Sequence, residues 1–400
     1  MFYSKFNSIN VLKNFLLIIS LVLFCTVLIN EPRSVTKNDA LIHCEITNIL
    51  TFNNLDPYLE ENIEKVYPKI FPVEIEKIGT NYLPLVIKSF KLLCHPYINW
   101  VENYKYFLAI VPIIFLFFNF KNSSVSIALL LTGFNGFYQA FRSGNISIVA
   151  QLILVLFFIN LFRKKFVLSS LLFSLLVYIK VTMLPIYIVL LIAIKNEEIK
   201  KFIKFSIPTL FSLIYITYLL EGEIFKTWIN YYNIFSSSET VNSFNVINDI
   251  FGNYYDTPSV PNLLFYLYQS NLFIFFSVSL LVLIFCVLLL NNLRKRNVPI
   301  EQIFIDIFIL YFLLNPYLRT YHLFEMAILL AFYMKDRNSK SIIVILLFCI
   351  IPQITLLEIG TEILRSSYTL LVGLYPPLVF SIYIFIDKLK NKKINHTISK

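Results

Sequence analysis

Asp39, Arg142, Lys180, Arg319, His322 and Glu325 are ionisable residues beside or within long apolar runs, where a charge needs a reason. Their types define the chemistry open to them. Cations can hold an anion such as a phosphate, and a carboxylate or imidazole can take a proton. Arg319, His322 and Glu325 are spaced three apart, so a helix would set them on one face. Each residue also has an ordinary role available. Arg142 and Arg319 can anchor helix ends at an interface, and Lys180 can snorkel to the surface. His322 can be a hydrogen-bonded helix-end histidine, and Asp39 is one acid among several in a polar segment. The functional reading gains only if the intervening elements bring these residues to one level.

Composition says what those elements are. The chain is 58% hydrophobic and only 14% charged over 400 residues, which excludes a soluble domain of this size and predicts an all-α polytopic membrane protein. The net charge of +10 does not point to nucleic acid, because the basic residues sit in short clusters between apolar runs, as in cytoplasmic loops. The 5 cysteines and 4 histidines form no metal-like spacing, so no metal is expected. Phe15 to Ile29 lacks a small-residue cleavage site and reads as a retained first span rather than a signal peptide.

The apolar runs predict about twelve transmembrane or re-entrant segments in a single integral membrane domain, 1–400. They cover 11–29, 104–120, 124–141, 146–162, 166–180, 183–194, 203–220, 263–290, 301–315, 321–334, 341–357 and 367–386. The runs 166–180 and 183–194 are too short for full crossings and suggest a broken or re-entrant pair. Alternating the sides puts both termini in the cytoplasm. Arg163 to Lys165, Lys195 to Lys204, Arg294 to Arg296, Lys335 to Lys340 and the basic tail 387–400 then all fall on the inner side. Two large outer loops remain, 30–103 and 221–262. The first is rich in Pro, Tyr and acids and predicts surface helices. The second, polar and aromatic, suits a loop that handles sugars or caps a cavity. Cys44 and Cys94 share the first loop, where they can pair as a disulfide. Arg142, Asn145, Lys180, Arg319, His322 and Glu325 all come to the outer level, while Asp306 lies nearer the cytoplasmic half and is set outside the site.

Ordered motifs add a resemblance. The first loop carries Asp39 and Pro57-Tyr58 in "NDALIHCEITNILTFNNLDPY", then Tyr82 and Pro84 in "GTNYLPLVIKSF". The centre carries "RSGNISIVAQLILVLFFINLFRKKFVLSSLLFSLLVYIKVTMLP", with Gly144-Asn145, Lys180 and Pro185, and later comes "NPYLRTYHLFEMAILLAF" with Pro316 and His322. In this order, over roughly 35–335, they resemble glycosyltransferase family 87, the polyprenol-phosphate-mannose-type mannosyltransferases of the GT-C class. Gly144-Asn145 stands where that family has Gly-Gln, and Arg319-Thr320 replaces its aromatic approach to the His.

The resemblance implies a GT-C-type glycosyltransferase fold with a catalytic Asp in the first outer loop, above a cavity for a lipid-phosphate sugar. It also implies inverting transfer of a hexose, mannose by likeness, onto a glycolipid or glycan acceptor. The polyprenyl-phosphate sugar is then a co-substrate, and no further cofactor is expected. Such transfer needs a carboxylate or imidazole to take the acceptor proton: Asp39, or alternatively His322. His43 would orient the base or bind acceptor, with Tyr58 and Tyr82 in the substrate site. Arg142, Lys180, Arg319 and the Asn145 helix start would hold the departing phosphate. The expected location is a bacterial inner membrane, with the active site on the outer face. An O-antigen ligase fits less well, because the larger outer loop comes first. Protein O-mannosyltransferases and aminoarabinose transferases carry an Asp-Glu pair where this chain has Asp39-Ala40. From another class, a multi-pass transporter or flippase of lipid-linked or small solutes fits the span count, but predicts mid-membrane charges and inverted repeats.

Overall fold

A computed structural model describes residues 8–29, 92–95, 97–119, 147–180, 183–221, 271–315, 322–334 and 380–384, with Cys44, Ile386 and scattered positions in 126–140 and 264–268. Among the described residues the protein is all helical, with no strand. The helices are α1 (Ser8–Ile29), α2 (Trp100–Asn119), α3 (Ser147–Phe162), α4 (Phe166–Ile179), α5 (Pro185–Ile192), α6 (Glu197–Glu221), α7 (Leu272–Leu293), α8 (Ile300–Leu314) and α9 (Leu323–Met334). Each coincides with an apolar run expected from the sequence. Most of the expected span 124–141, all of 341–357 and most of 367–386 lie outside the described residues, as do most of the loop 30–103, nearly all of 221–262 and the tail 387–400.

Local chemistry sets the helix starts. The Asn196 side chain accepts from the N–H groups of Glu198 (3.0 Å) and Ile199 (3.3 Å), capping α6. Glu197 and Glu198 in the first turn complement the helix dipole. For this reason α6 begins with a charged turn, ahead of the apolar stretch that started at 203. Asn271 caps α7 in the same way through Ile274 N–H. Pro185 opens α5, where its missing N–H is not needed.

Helix α3 is the hub. It is apolar on all sides, nearly all of its residues are buried, and it packs against α2, α4, α8 and α9. Phe157 at its middle meets Phe173 of α4, Phe202 of α6 and Phe304 and Phe308 of α8, all fully buried. Small serines let α4 lie close to α6, where Ser170 donates to Phe202 O and Ser174 to Ser206 O. Helix α7 is the opposite case. It is the one described helix long and apolar enough to cross a membrane, yet it buries little of itself in the protein. Phe273 is 80% exposed, and Phe276 and Leu281 are each 66% exposed. Such a surface is stable against lipid rather than water, which supports membrane association.

Contacts sort the helix ends into two levels. At one end Lys164, in a left-handed turn at φ 56, bridges Glu198 and Glu301, and Glu198 also accepts from Ile300 N–H. Asn196 Nδ2 donates to the carbonyls of Arg296 and Val298. The three turns expected on one side are therefore clasped together. Burial works against the Lys164 charge, but the hydrogen bonds and attraction of Glu301 and Glu198 outweigh it and raise its pKa above 10.5. A raised folded-state pKa gives stabilisation that is complete below the unfolded value and lost as pH rises through the folded one. The Lys164 contribution to the clasp is thus expected to be insensitive to pH near neutrality and to be lost in strong alkali. Asn196→Ala removes the cap and both carbonyl bonds, so about 1–2 kcal/mol of stability is expected to go. Thermal unfolding in detergent checks this, and an unchanged midpoint would show the clasp contributes nothing.

The turns before α4 and after α5 both sit at this clasped end, so α4 and α5 form a hairpin that runs out and returns. At 14 and 8 residues both are short of a bilayer's thickness, matching the broken pair expected from their apolar runs. The far end of this hairpin, marked by Lys180 and Leu184, reaches the other level. Elsewhere Cys44 is disulfide-bonded to Cys94, just ahead of α2, as the sequence allowed. Cys94→Ser is expected to destabilise the fold by about 2–4 kcal/mol, read as a lower unfolding temperature relative to wild type.

Candidate functional site

Lys180 ends α4, its N–H bonding back to Leu176 O, and its side chain extends beyond the helix. A cation there faces the negative end of the α4 dipole. His322 and Glu325 stand at the start of α9, with the carboxylate in the first turn, where the dipole favours an anion. α8 and α9 pack against each other and against α3, which places the α9 start at the level of the α4 apex.

The three side chains meet. Lys180 Nζ is ion-paired with Glu325 Oε1 and lies 2.7 Å from His322 Nδ1; Nδ1 is 3.1 Å from the same Oε1. Glu325 is 1% exposed, and the Lys180 and His322 side chains only 10% and 11%. Residues from α4 and α9 thus share one buried polar cluster at the end opposite the clasp. A buried pair of this kind contributes little net stability over an apolar pair, but losing one partner costs about 3–5 kcal/mol because a charge is left alone. Glu325 Oε2 is buried with no hydrogen-bond partner. The arrangement supplies an ammonium and an imidazole held in fixed positions, the groups needed to hold an anion and to give or take a proton.

Of the residues expected to form the site, the structure brings Lys180 and His322 together. Asp39, His43, Tyr58, Tyr82, Arg142, Asn145 and Arg319 lie outside the described residues. Glu325 was legible as a helix-face neighbour of His322 but not as the partner of Lys180. Asp306 belongs to the other half: it accepts from Asn292 Nδ2 (2.7 Å) and Gln302 Nε2 (3.3 Å) between α7 and α8. Among the described residues no group of three His, Cys, Asp or Glu could hold a metal ion.

Residues 106–298 match the family model of glycosyltransferase family 87. The matched residues make up just under half of the chain. Neither the curated proteins nor the solved structures gave a significant match. The matched residues run from within α2 to just past α7 and include Lys180, while His322 and Glu325 come from beyond the C-terminal limit and Asp39 precedes the match. The match indicates an enzyme that takes a sugar from a donor and passes it to an acceptor.

Proposed function

We propose that the chain is an integral membrane hexosyltransferase. It moves a sugar, mannose by resemblance, from a polyprenyl-phosphate donor to a glycolipid or glycan on the non-cytoplasmic face. The observation that carries this reading is the buried Lys180–His322–Glu325 cluster at the end opposite the basic clasp. By the positive-inside rule the clasped end faces the cytoplasm, and the cluster faces out. The Cys44–Cys94 disulfide fits an oxidising outer compartment.

In the reaction the acceptor oxygen attacks the anomeric carbon and the bond from that carbon to the phosphate oxygen breaks with inversion. The acceptor proton passes to Asp39 or His322, and the lipid phosphate departs with the bonding electrons. Lys180 meets the developing phosphate charge, with Arg142 and Arg319 as further cations and Asn145 at a helix start. Protein cations suffice for a monophosphate, so a metal is not required. The resemblance assigns the base to Asp39 in the first outer loop and the sugars to His43, Tyr58 and Tyr82. Membrane lipid covers the exposed side of α7.

Donor choice tests this. Purified protein in liposomes is expected to form labelled product from a polyprenyl-phosphate sugar and none from the corresponding nucleotide sugar. Turnover of the nucleotide sugar alone would overturn the proposed donor class while leaving the glycosyltransferase.

A further inference from the structure

Glu325 serves two partners with one oxygen. Lys180 Nζ, His322 Nδ1 and Glu325 Oε1 close a triangle, and no placement of hydrogens satisfies all three edges. If Nδ1 carried a hydrogen, two donors would face each other across the 2.7 Å edge to the ammonium. If Nδ1 is bare, it accepts from the ammonium, and the mismatch falls on the longer 3.1 Å edge to Oε1. The distances fit the second arrangement. The Glu325 carboxylate beside Nζ favours the charged form of Lys180. An ammonium, a carboxylate and a neutral imidazole also sum to zero charge, which a buried site favours.

We propose that Glu325 is a positioning residue: by anchoring the Lys180 ammonium against Nδ1, it holds His322 in the tautomer that carries its hydrogen on Nε2. His322 then donates a hydrogen bond and does not act as the base. This rests on the proposed transfer reaction and divides its roles. The acceptor proton goes to Asp39, the electrons of the broken bond go to the phosphate oxygen, and His322 Nε2–H and Lys180 stabilise that oxygen. His322 keeps its proton throughout.

The test reads the tautomer directly. The histidines are His43, His95, His322 and His396. In full-length protein in bilayers, His43→Gln, His95→Gln and His396→Gln together leave His322 as the sole imidazole for ¹⁵N NMR. If that variant does not fold, the difference between wild type and His322→Gln gives the same signal. The expected spectrum has a proton bonded to Nε2 and none on Nδ1. Glu325→Gln is expected to lose the single tautomer, and Glu325→Asp to keep it. A proton on Nδ1 in the parent, or a tautomer unchanged in Glu325→Gln, overturns the proposal. The spectrum needs neither donor nor acceptor. A bare Nδ1 in a protein that transfers no sugar therefore leaves the positioning by Glu325 standing and removes the reaction with the role given to His322 in it, whereas the converse removes the inference alone.

Discussion

Lys180→Met is expected to give a protein that transfers no measurable sugar and unfolds earlier than wild type. Two effects add. The substitution strands the Glu325 carboxylate, which is 1% exposed, and the loss of a buried partner costs about 3–5 kcal/mol. It also removes a cation from the departing phosphate, an effect of about 10²–10³ in rate by analogy with the loss of one oxyanion donor. A double substitution separates the two. Lys180→Met with Glu325→Gln leaves no uncompensated charge, so its unfolding temperature is expected to return most of the way to wild type. Activity is expected to stay absent, because the second substitution does not restore the Lys180 cation beside the departing phosphate. Should the double variant recover both, Lys180 would be no more than a counter-ion for Glu325.

The second large effect concerns the base. Asp39→Asn is expected to lower turnover by about 10²–10⁴ with little change in stability, since it replaces the proton acceptor by an amide of equal size. His322→Gln is expected to be milder, because glutamine keeps an N–H donor for the phosphate, and His322→Ala should fall between the two. Turnover at saturating donor, together with the donor KM, is the measurement. The reverse order, with Asp39→Asn active and His322→Gln dead, would make His322 the base and contradict the tautomer assigned to it.

Much of the fold was legible because lipid-facing and buried helices are written in apolar runs, which require no knowledge of partners. The level of Lys180 and His322 was legible too. Alternating the sides of successive helices fixes which ends lie together, and the Lys164–Glu198–Glu301 clasp shows three of the basic turns sharing one end. The contacts were not legible. Spacing sets Glu325 on the His322 face of α9, but nothing local says that a lysine 145 residues earlier faces it. That depends on how α3, α4, α8 and α9 pack. Asn196 likewise reads as a loop residue in sequence, because the carbonyls it binds, at Arg296 and Val298, come from a turn 100 residues away. The start of α6 was placed late for a related reason: apolar runs mark the buried part of a helix and miss a charged first turn that its cap stabilises.

The most direct measurement is transfer from labelled polyprenyl-phosphate-mannose by membranes containing the protein, with Asp39→Asn alongside. Host lipids and extracts of the source cells serve as acceptors. A labelled glycolipid or glycan is expected with wild type, and its loss in the variant. Absence of transfer from every lipid-linked sugar and acceptor extract, with folded protein in the membrane, would contradict the lipid-phosphate donor and shift the weight to a transporter.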